Sequence, residues 1–383
     1  DVGVLDDEVD HGPHLGLAGG VGAGADLLEL LAPVGREIAI QVQALAVGVG
    51  GDLQAVVGRD GALGHQPVVL AAELAGLARH HQPRLGGVFL PRAVRVGDAH
   101  VEHAAVAVDV FYRQAVDEGF DRAVAAVLAD EGVEFRKADL NDRASLEIAF
   151  RGCDAIISNA AMYVASKGFS AWHAHEKANV EGTRNVFEAA HRAGVKRIVH
   201  VSTFGIYKWS IFSPMDESWP QLDGKNRKGG TYRATKQISE DLAWQLAREL
   251  DLQLTTVRPS AVYGARDPNT MDMVYKALKL PVIVMPSISF PLVYAGDVAD
   301  ATVNALANDQ SINQAYNVGG DSQQIGSFLR EVVRARGHGP KILSVPMPVK
   351  VRTDNSKAEK DLGFRNRPFA EALAEVVRED GWA

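Results

Sequence analysis

The stretch RIVHVST at residues 197–203 decides the fold, because its apolar run predicts a strand buried on both faces of a sheet. On either side of it, predicted strands alternate with predicted helices. This alternation indicates an α/β fold, a parallel sheet doubly wound with helices on both faces. The other predicted strands are 133–140, 154–161 and 252–259, and the predicted helices are 142–150, 174–193 and 232–250.

The composition changes sharply along the chain. The first 136 residues contain no Ser, Thr, Asn or Lys, whereas the remaining 247 contain 52 of them. These residues form helix caps and turns, so a segment without them lacks the usual start and stop signals and is expected to pack poorly. One hypothesis is that residues 1–112 are GC-rich DNA translated in a wrong frame or from the wrong strand. The alternative is a low-complexity Ala/Gly/Val extension, and in either case the folded domain is expected at 113–383.

The whole chain has the composition of a soluble globular protein, with 46% apolar and 23% charged residues and a net charge of −8. The absence of a basic excess argues against nucleic acid as a partner. The single cysteine, Cys153, permits no internal disulfide and no cysteine metal cluster, which favours the cytoplasm and predicts no metal site. The longest apolar run, at 277–296, contains three prolines and a lysine, so no membrane span is expected.

Tyr232 and Lys236 are four residues apart, so their side chains share one face of the predicted helix. A phenol with a pKa of about 10 is a poor base at neutral pH, and a lysine cation one turn away favours its ionised form. The pair therefore predicts an acid/base that exchanges a proton with a carbinol oxygen. Thr203 ends its strand at the carboxyl edge of the sheet, where open α/β sheets bind ligands, and its hydroxyl can hold the same oxygen.

Three motifs occur in order: VSTFGIY at 201–207, YRATK at 232–236 and RPSAVYG at 258–264. With these motifs, residues from about 119 to 383 resemble the extended short-chain dehydrogenase/reductase family, the NAD-dependent epimerase/dehydratase group. The resemblance implies a Rossmann-type sheet, NAD or NADP as cofactor and a small-molecule substrate. It also implies a small C-terminal substrate lobe, mainly from residues 208–230, 265–292 and 340–383.

The resemblance also implies roles for individual residues. Thr203, Tyr232 and Lys236 match the catalytic residues of the family, with Ser202 as the alternative to Thr203. Asn179 matches a helix asparagine that helps to shape the site. The cofactor-binding positions that the resemblance implies are Asp139, Leu140, Asn159, Ala160, Ala161, Tyr232, Lys236, Pro259 and Val262.

A dinucleotide-binding fold needs a glycine-rich turn after its first strand, and no stretch of this chain supplies an obvious one. LGGVFLP at 85–91 carries Pro91 where a glycine is expected. GLAGGVG at 16–22 has GxxGxxG spacing but follows no predicted strand, so neither is assigned as the phosphate loop. Residues 105–113 are a candidate second strand, and Arg113 at its end would favour NADP.

In the family that the chain resembles, the residues after the catalytic Ser/Thr differ between reaction types. Thr203 holds that position here. Dehydratases carry Asp-Glu there, whereas this chain has Phe204-Gly205, which transfer no proton. Reversible hydride transfer is therefore expected, by an NAD(P)-dependent oxidoreductase or epimerase acting on a sugar nucleotide or a similar hydroxyl or ketone. A dihydroflavonol-reductase-like ketone reductase is the alternative. A non-catalytic nucleotide-binding relative, or an inactive product without the phosphate loop, stays open, as does a homodimer.

The spacer at 209–230 lies between the two catalytic motifs. Its aromatic side chains suit a ring-shaped substrate, and Lys225 and Lys228 suit a diphosphate group. A solvated loop explains the same residues equally well.

Overall fold

A computed structural model describes residues 85–91, 94–96, 99–101, 104–110, 133–159, 161–163, 172–265, 267 and 270–379. The strands, in chain order, are β1 (Leu85–Pro91), β2 (Val94–Val96), β3 (Ala99–Val101), β4 (Ala104–Val110), β5 (Val133–Lys137), β6 (Ala155–Ser158), β7 (Arg197–Val201), β8 (Gln253–Pro259), β9 (Ala261–Tyr263), β10 (Val282–Tyr294), β11 (Gln314–Val318), β12 (Ser322–Gln324) and β13 (Lys341–Lys350).

The helices of the described residues surround these strands. In chain order they are α1 (Arg143–Phe150), α2 (Trp172–His175), α3 (Gly182–Arg192), α4 (Thr231–Glu249), α5 (Thr270–Ala277), α6 (Ala295–Ala307), α7 (Ile325–Arg336), α8 (Ser356–Leu362) and α9 (Phe369–Glu379). A π-helical segment, Glu176–Glu181, joins α2 to α3, and 3₁₀ turns lie at Phe204–Ile206 and Asp309–Ser311.

The main sheet has the strand order β11-β8-β7-β6-β4-β1-β5. Strands β4, β6, β7, β8 and β11 run parallel to one another, and α1, α3 and α4 pack together over them. The predicted α/β fold is therefore confirmed, as are the predicted strands and helices between 133 and 259. The caps are also as expected: Asp142 accepts hydrogen bonds from the first turn of α1, and Gly194 has a left-handed φ of +79°.

The N-terminal part of the sheet differs from the expectation. Strand β4 pairs in parallel with β6, which is the place of the first strand of a Rossmann sheet, not of the second. Strand β1 runs antiparallel between β4 and β5, so the stretch at 85–91 is a strand and makes the sheet mixed. The turn after β4, where the phosphate loop of this fold belongs, lies outside the described residues, as do Arg113 and the glycines at 16–22.

The boundary expected at residue 112 falls just beyond these strands of the sheet. We predict that a chain starting at Arg113 melts at least about 10 °C below a chain starting at Leu85. Loss of β1 and β4 exposes the edge of β6 and lowers the free energy of unfolding by several kcal/mol. Each kcal/mol lowers the melting temperature by about 2–4 °C in a domain of this size. Circular dichroism melting of the two chains measures this difference. Equal melting temperatures would contradict the pairing of β4 with β6.

A second, smaller sheet forms the C-terminal lobe. Its strands pair in the order β12-β10-β13, and β9 pairs with the end of β10. Apolar residues of α7 and α9 share a buried cluster with this sheet. The lobe contains much of 265–292 and 340–383, two of the stretches expected to form it, together with β12 and α7. That it is a substrate lobe stays a prediction.

Candidate active site

Three of the predicted site residues follow the carboxyl ends of neighbouring parallel strands. Asn159 comes after β6, Thr203 after β7, and Pro259 is the last residue of β8. Because these strands are adjacent and parallel, the three residues lie at one edge of the sheet. Ligands of open α/β sheets bind at this edge.

Thr203 is fixed by its own turn. Its side-chain oxygen accepts a hydrogen bond of 3.0 Å from the Gly205 backbone nitrogen, which caps the 3₁₀ turn Phe204–Ile206. The residue is 1% exposed. Its hydroxyl proton is still available to a neighbour, because the cap uses the oxygen only as an acceptor.

Tyr232 lies in the first turn of α4 and is buried. Its hydroxyl has no hydrogen-bond partner among the described residues. Burial raises the pKa of the phenol, and the nearby Thr203 hydroxyl acts in the opposite direction. A buried hydroxyl without a partner is costly, so this one is ready to bond to a ligand oxygen.

The structure distinguishes Ser202 from Thr203. The Ser202 hydroxyl faces Glu240 and contributes to lowering the pKa of that carboxyl group. The Thr203 hydroxyl acts on Tyr232 instead. Of the two candidates, Thr203 is the one whose hydroxyl acts on Tyr232, and its catalytic role stays a prediction.

Lys236 extends from α4 beneath the turn that carries Thr203. Its Nζ donates a 2.8 Å hydrogen bond to the Val201 carbonyl oxygen, and the residue is 2% exposed. Burial lowers the pKa of Lys236 to about 8, an effect that Glu240 opposes. In this arrangement the Thr203 hydroxyl favours ionisation of Tyr232. The effect of Lys236 on the Tyr232 pKa stays a prediction.

Asn179 ties two parts of the site together from the π-helical segment. Its Oδ1 accepts a 2.6 Å hydrogen bond from the Met162 nitrogen, and its Nδ2 donates to the Met162 oxygen and to Thr235 Oγ1, each at 3.1 Å. The loop after β6 is thereby fixed to α4. A π turn often marks a functional site, and here it brings Asn179 to both partners.

Tyr163 is a site residue that the sequence did not indicate. Its ring meets the Tyr232 ring edge to face, with centroids 4.8 Å apart and planes at 87°. Burial raises the pKa of Tyr163, and the Tyr232 phenol and the Asp267 carboxylate raise it further. The available signal was its place in the loop after β6, two residues beyond the Asn159–Ala161 stretch.

The residues expected near the adenine lie just beyond β5. Asp139 is exposed, and its Oδ1 accepts hydrogen bonds from the backbone and side-chain nitrogens of Asn141. The Leu140 side chain is 6% exposed and packs against Gly182 of α3, so it belongs to the core. Ala160 lies outside the described residues.

The remaining predicted positions lie at the junction of the two sheets. Pro259 pairs with Val318 at the end of β11, and Val262 pairs with Val293 of β10. Both are buried.

This arrangement suits a dinucleotide. The unpartnered Tyr232 hydroxyl and the Lys236 ammonium group lie at the strand edge, and the exposed Asp139 carboxylate follows β5. When a nicotinamide dinucleotide is bound, Lys236 and Tyr232 would face its ribose and Asp139 its adenine.

We predict that Asp139→Ala weakens NADH and NADPH binding by about 1–2 kcal/mol, or about 5- to 30-fold, because it loses one hydrogen bond to the adenine. Isothermal titration calorimetry measures the change. Asp139→Asn keeps an acceptor for Asn141 and for the adenine amine, so it should lose less affinity. Equal affinity of Asp139→Ala and wild type would remove Asp139 from the site.

The sequence model of the NAD dependent epimerase/dehydratase family matches residues 100–319, which is more than half of the chain. The chain belongs to this family. Its members depend on NAD(P), and structures of the same fold were solved with NAD or NADPH bound. The match begins before β4, so that strand lies within the family domain.

Relatives of this epimerase/dehydratase family member carry several activities. Sterol demethylase protein B of Methylococcus capsulatus is 30% identical over 238 residues, 59% of this chain and 69% of the relative. Cinnamoyl-CoA reductase 1 of Oryza sativa is 33% identical over 262 residues, 65% of this chain and 75% of the relative. The dTDP-glucose 4,6-dehydratase DesIV of Streptomyces venezuelae, a double mutant solved with NAD, shares the fold with a TM-score of 0.59. It is 24% identical, covering 72% of this chain and 86% of that one.

The aromatic side chains of the spacer are mostly engaged within the protein. The Trp209 ring lies 5.2 Å from the Phe290 ring and beneath the Arg233 guanidinium, and Trp219 Nε1 donates to the Lys208 carbonyl oxygen. Phe212 is 78% exposed. The two tryptophans therefore brace the turn after Thr203.

Within the described part of the chain, no helix is both long enough and apolar enough to cross a bilayer. No group of three or more His, Cys, Asp or Glu side chains among these residues is arranged to hold a metal ion.

The formation of a homodimer stays a prediction.

Proposed function

We propose that this chain catalyses reversible hydride transfer between NAD(P) and a hydroxyl-bearing or ketone carbon of a small substrate. The observation that carries the proposal is the buried Tyr232 hydroxyl, which has no partner among the described residues and lies beside the Thr203 hydroxyl. Lys236 lies one helix turn after Tyr232, and its ammonium group donates to the Val201 carbonyl oxygen. A phenol, a hydroxyl and an ammonium group so placed serve proton exchange at one oxygen.

Each residue has a separate role in this proposal. As its phenolate, Tyr232 takes the proton from the substrate hydroxyl during oxidation, and as its phenol it returns the proton during reduction. Thr203 donates a hydrogen bond to the same oxygen and so orients the reacting carbon. Lys236 supplies a positive charge that favours the phenolate. When bound, the nicotinamide accepts or supplies the hydride.

Dehydration is not proposed, because the residues after Thr203 offer no acid or base. Phe204 is 1% exposed and packs against Tyr207, with ring centroids 5.3 Å apart. Gly205 has no side chain, and its backbone nitrogen donates to Thr203 Oγ1. An elimination needs a group that removes a proton from carbon and one that protonates the leaving oxygen.

For the substrate, we favour a ketone or secondary alcohol on an apolar ring or chain. The support is the identity of 30% and 33% with relatives named for sterol and cinnamoyl-CoA chemistry. Epimerisation of a sugar nucleotide is the second candidate. It is favoured by Lys225 and Lys228, which are exposed on the loop before α4 and suit a diphosphate.

A substrate panel tests the proposal. NADH and NADPH are mixed in turn with a 3-ketosteroid, a dihydroflavonol and cinnamoyl-CoA, and oxidation of the cofactor is followed by absorbance. UDP-glucose with NAD is analysed chromatographically for its 4-epimer. Turnover that depends on Tyr232 is expected with at least one of them. Binding of NADH or NADPH in a thermal-shift titration without any turnover would favour the non-catalytic alternative.

A further inference from the structure

Helix α4 carries a buried anion one turn beyond Lys236. The Glu240 side chain is 1% exposed and pairs with Arg258 of β8, which is 4% exposed. Arg258 Nε lies 3.0 Å from Glu240 Oε1 and 3.2 Å from Oε2, and Nη2 also donates to Oε1. Burial raises the Glu240 pKa, but the Arg258 charge and its hydrogen bonds outweigh burial and bring this pKa below its ordinary value. Glu240 is therefore charged at neutral pH.

A buried ion pair contributes little to stability by itself. The loss of hydration of the two charges costs about as much as their attraction returns. The position of this pair offers another role. Glu240 and Lys236 are four residues apart on one face of α4, and the Glu240 charge opposes the fall that burial causes in the Lys236 pKa.

The other ionisable groups around Lys236 cannot replace this charge. Tyr232, on the same helix, is protonated because burial raises its pKa. His200 of β7 is neutral, because burial and the Lys236 charge hold its pKa far below the ordinary value. Arg258 of β8 is positive and is bonded to Glu240. Of these groups, in the part of the chain that the structure describes, Glu240 is the only anion.

Arg258 also contacts the segment that follows Thr203. Its Nη1 donates to the Tyr207 hydroxyl at 2.5 Å and to the Glu217 carbonyl oxygen at 3.1 Å. Tyr207 ends the turn that Thr203 begins, and Pro259 is the next residue after Arg258. The ion pair thus fastens α4 both to the turn after β7 and to the end of β8.

We infer that Glu240 is a positioning residue for the Thr203–Tyr232–Lys236 site: its carboxylate keeps the Lys236 ammonium group charged, and its ion pair with Arg258 holds α4 against β8. That the Lys236 charge serves catalysis rests on the proposed function. The charge itself is a property of the protein without cofactor or substrate.

The test measures the Lys236 pKa directly by NMR of the full chain labelled at lysine Cε, with the signal assigned by its absence from Lys236→Met. In wild type it should titrate at about 8. Glu240→Gln and Arg258→Met both break the ion pair, but they change the charge near Lys236 in opposite directions. Glu240→Gln should lower the Lys236 pKa by about one unit or more, whereas Arg258→Met should leave it unchanged or raise it.

The matched control is Glu249→Gln. Glu249 lies on the same helix but is exposed and about 20 Å further along it, so the Lys236 pKa should not move. An unchanged pKa in Glu240→Gln, or equal shifts in Glu240→Gln and Arg258→Met, would overturn the inference. If Glu240→Gln does not fold, the double variant Glu240→Gln/Arg258→Met removes both buried charges, and its Lys236 pKa should lie below that of Arg258→Met, which keeps the Glu240 carboxylate. An absence of turnover in wild type would count against the proposed function but would not affect this titration.

Discussion

Tyr232→Phe is expected to lower kcat by about 10²–10⁴-fold, the usual contribution of general acid/base catalysis, with little change in NADH or NADPH affinity. The change removes one oxygen and keeps the ring that packs against Tyr163. The removed hydroxyl has no partner among the described residues, so no hydrogen bond of the fold is lost. Steady-state kinetics with the substrate found in the panel, together with a melting curve, measures both expectations.

Thr203→Val is the matched control for this variant, because it is nearly isosteric and leaves Tyr232 in place. It should lose less activity than Tyr232→Phe, since it removes a positioning hydrogen bond and not the proton donor. The cap on the Gly205 nitrogen is lost as well, so a lower melting temperature is expected only for Thr203→Val. A larger loss of activity in Thr203→Val than in Tyr232→Phe would contradict the assignment of Tyr232 as the proton donor.

Lys236→Met should lower both kcat and cofactor affinity. The loss of affinity is expected to be about 10- to 150-fold, because a hydrogen bond from a charged group contributes about 1.5–3 kcal/mol. In wild type, burial lowers the Lys236 pKa from its ordinary value to about 8. The group is therefore charged below that pH and neutral above it, and activity that needs the charge should fall as the pH rises through about 8.

The pH profile of kcat/KM and calorimetric titration with NADPH measure these effects. The alkaline decrease should be absent from Lys236→Met, since no group titrates at that position. A decrease near pH 8 that persists in the variant would assign the titration to another group and contradict the role of Lys236.

Local signals in the sequence predict most of the fold from residue 133 onward. The apolar runs of β6, β7 and β8 and the capping residues Asp142 and Gly194 act over a few residues, so they are visible without the tertiary structure. The i, i+4 spacing likewise places Tyr232 and Lys236 on one face of α4.

The features that the sequence did not predict depend on contacts between distant residues. Asn179 lies in the π-helical segment and donates to Thr235, which is 56 positions away, and this contact forms only in the folded chain. Tyr163 belongs to the site because the loop after β6 folds back onto α4. The place of β4 inside the sheet, next to β6, is set by pairing across more than 40 residues, which no local pattern encodes.

In the proposed reaction, hydride passes between NAD(P) and a substrate carbon while Tyr232 exchanges the proton. This reaction is tested by reducing the ketone substrate with NADPH or NADH that carries deuterium at both C4 positions of the nicotinamide, with mass spectrometry of the alcohol formed. We expect one deuterium on the carbinol carbon with wild-type protein and a rate lower by about 10²-fold or more with Tyr232→Phe. An alcohol without deuterium, or equal rates for the two proteins, would contradict it.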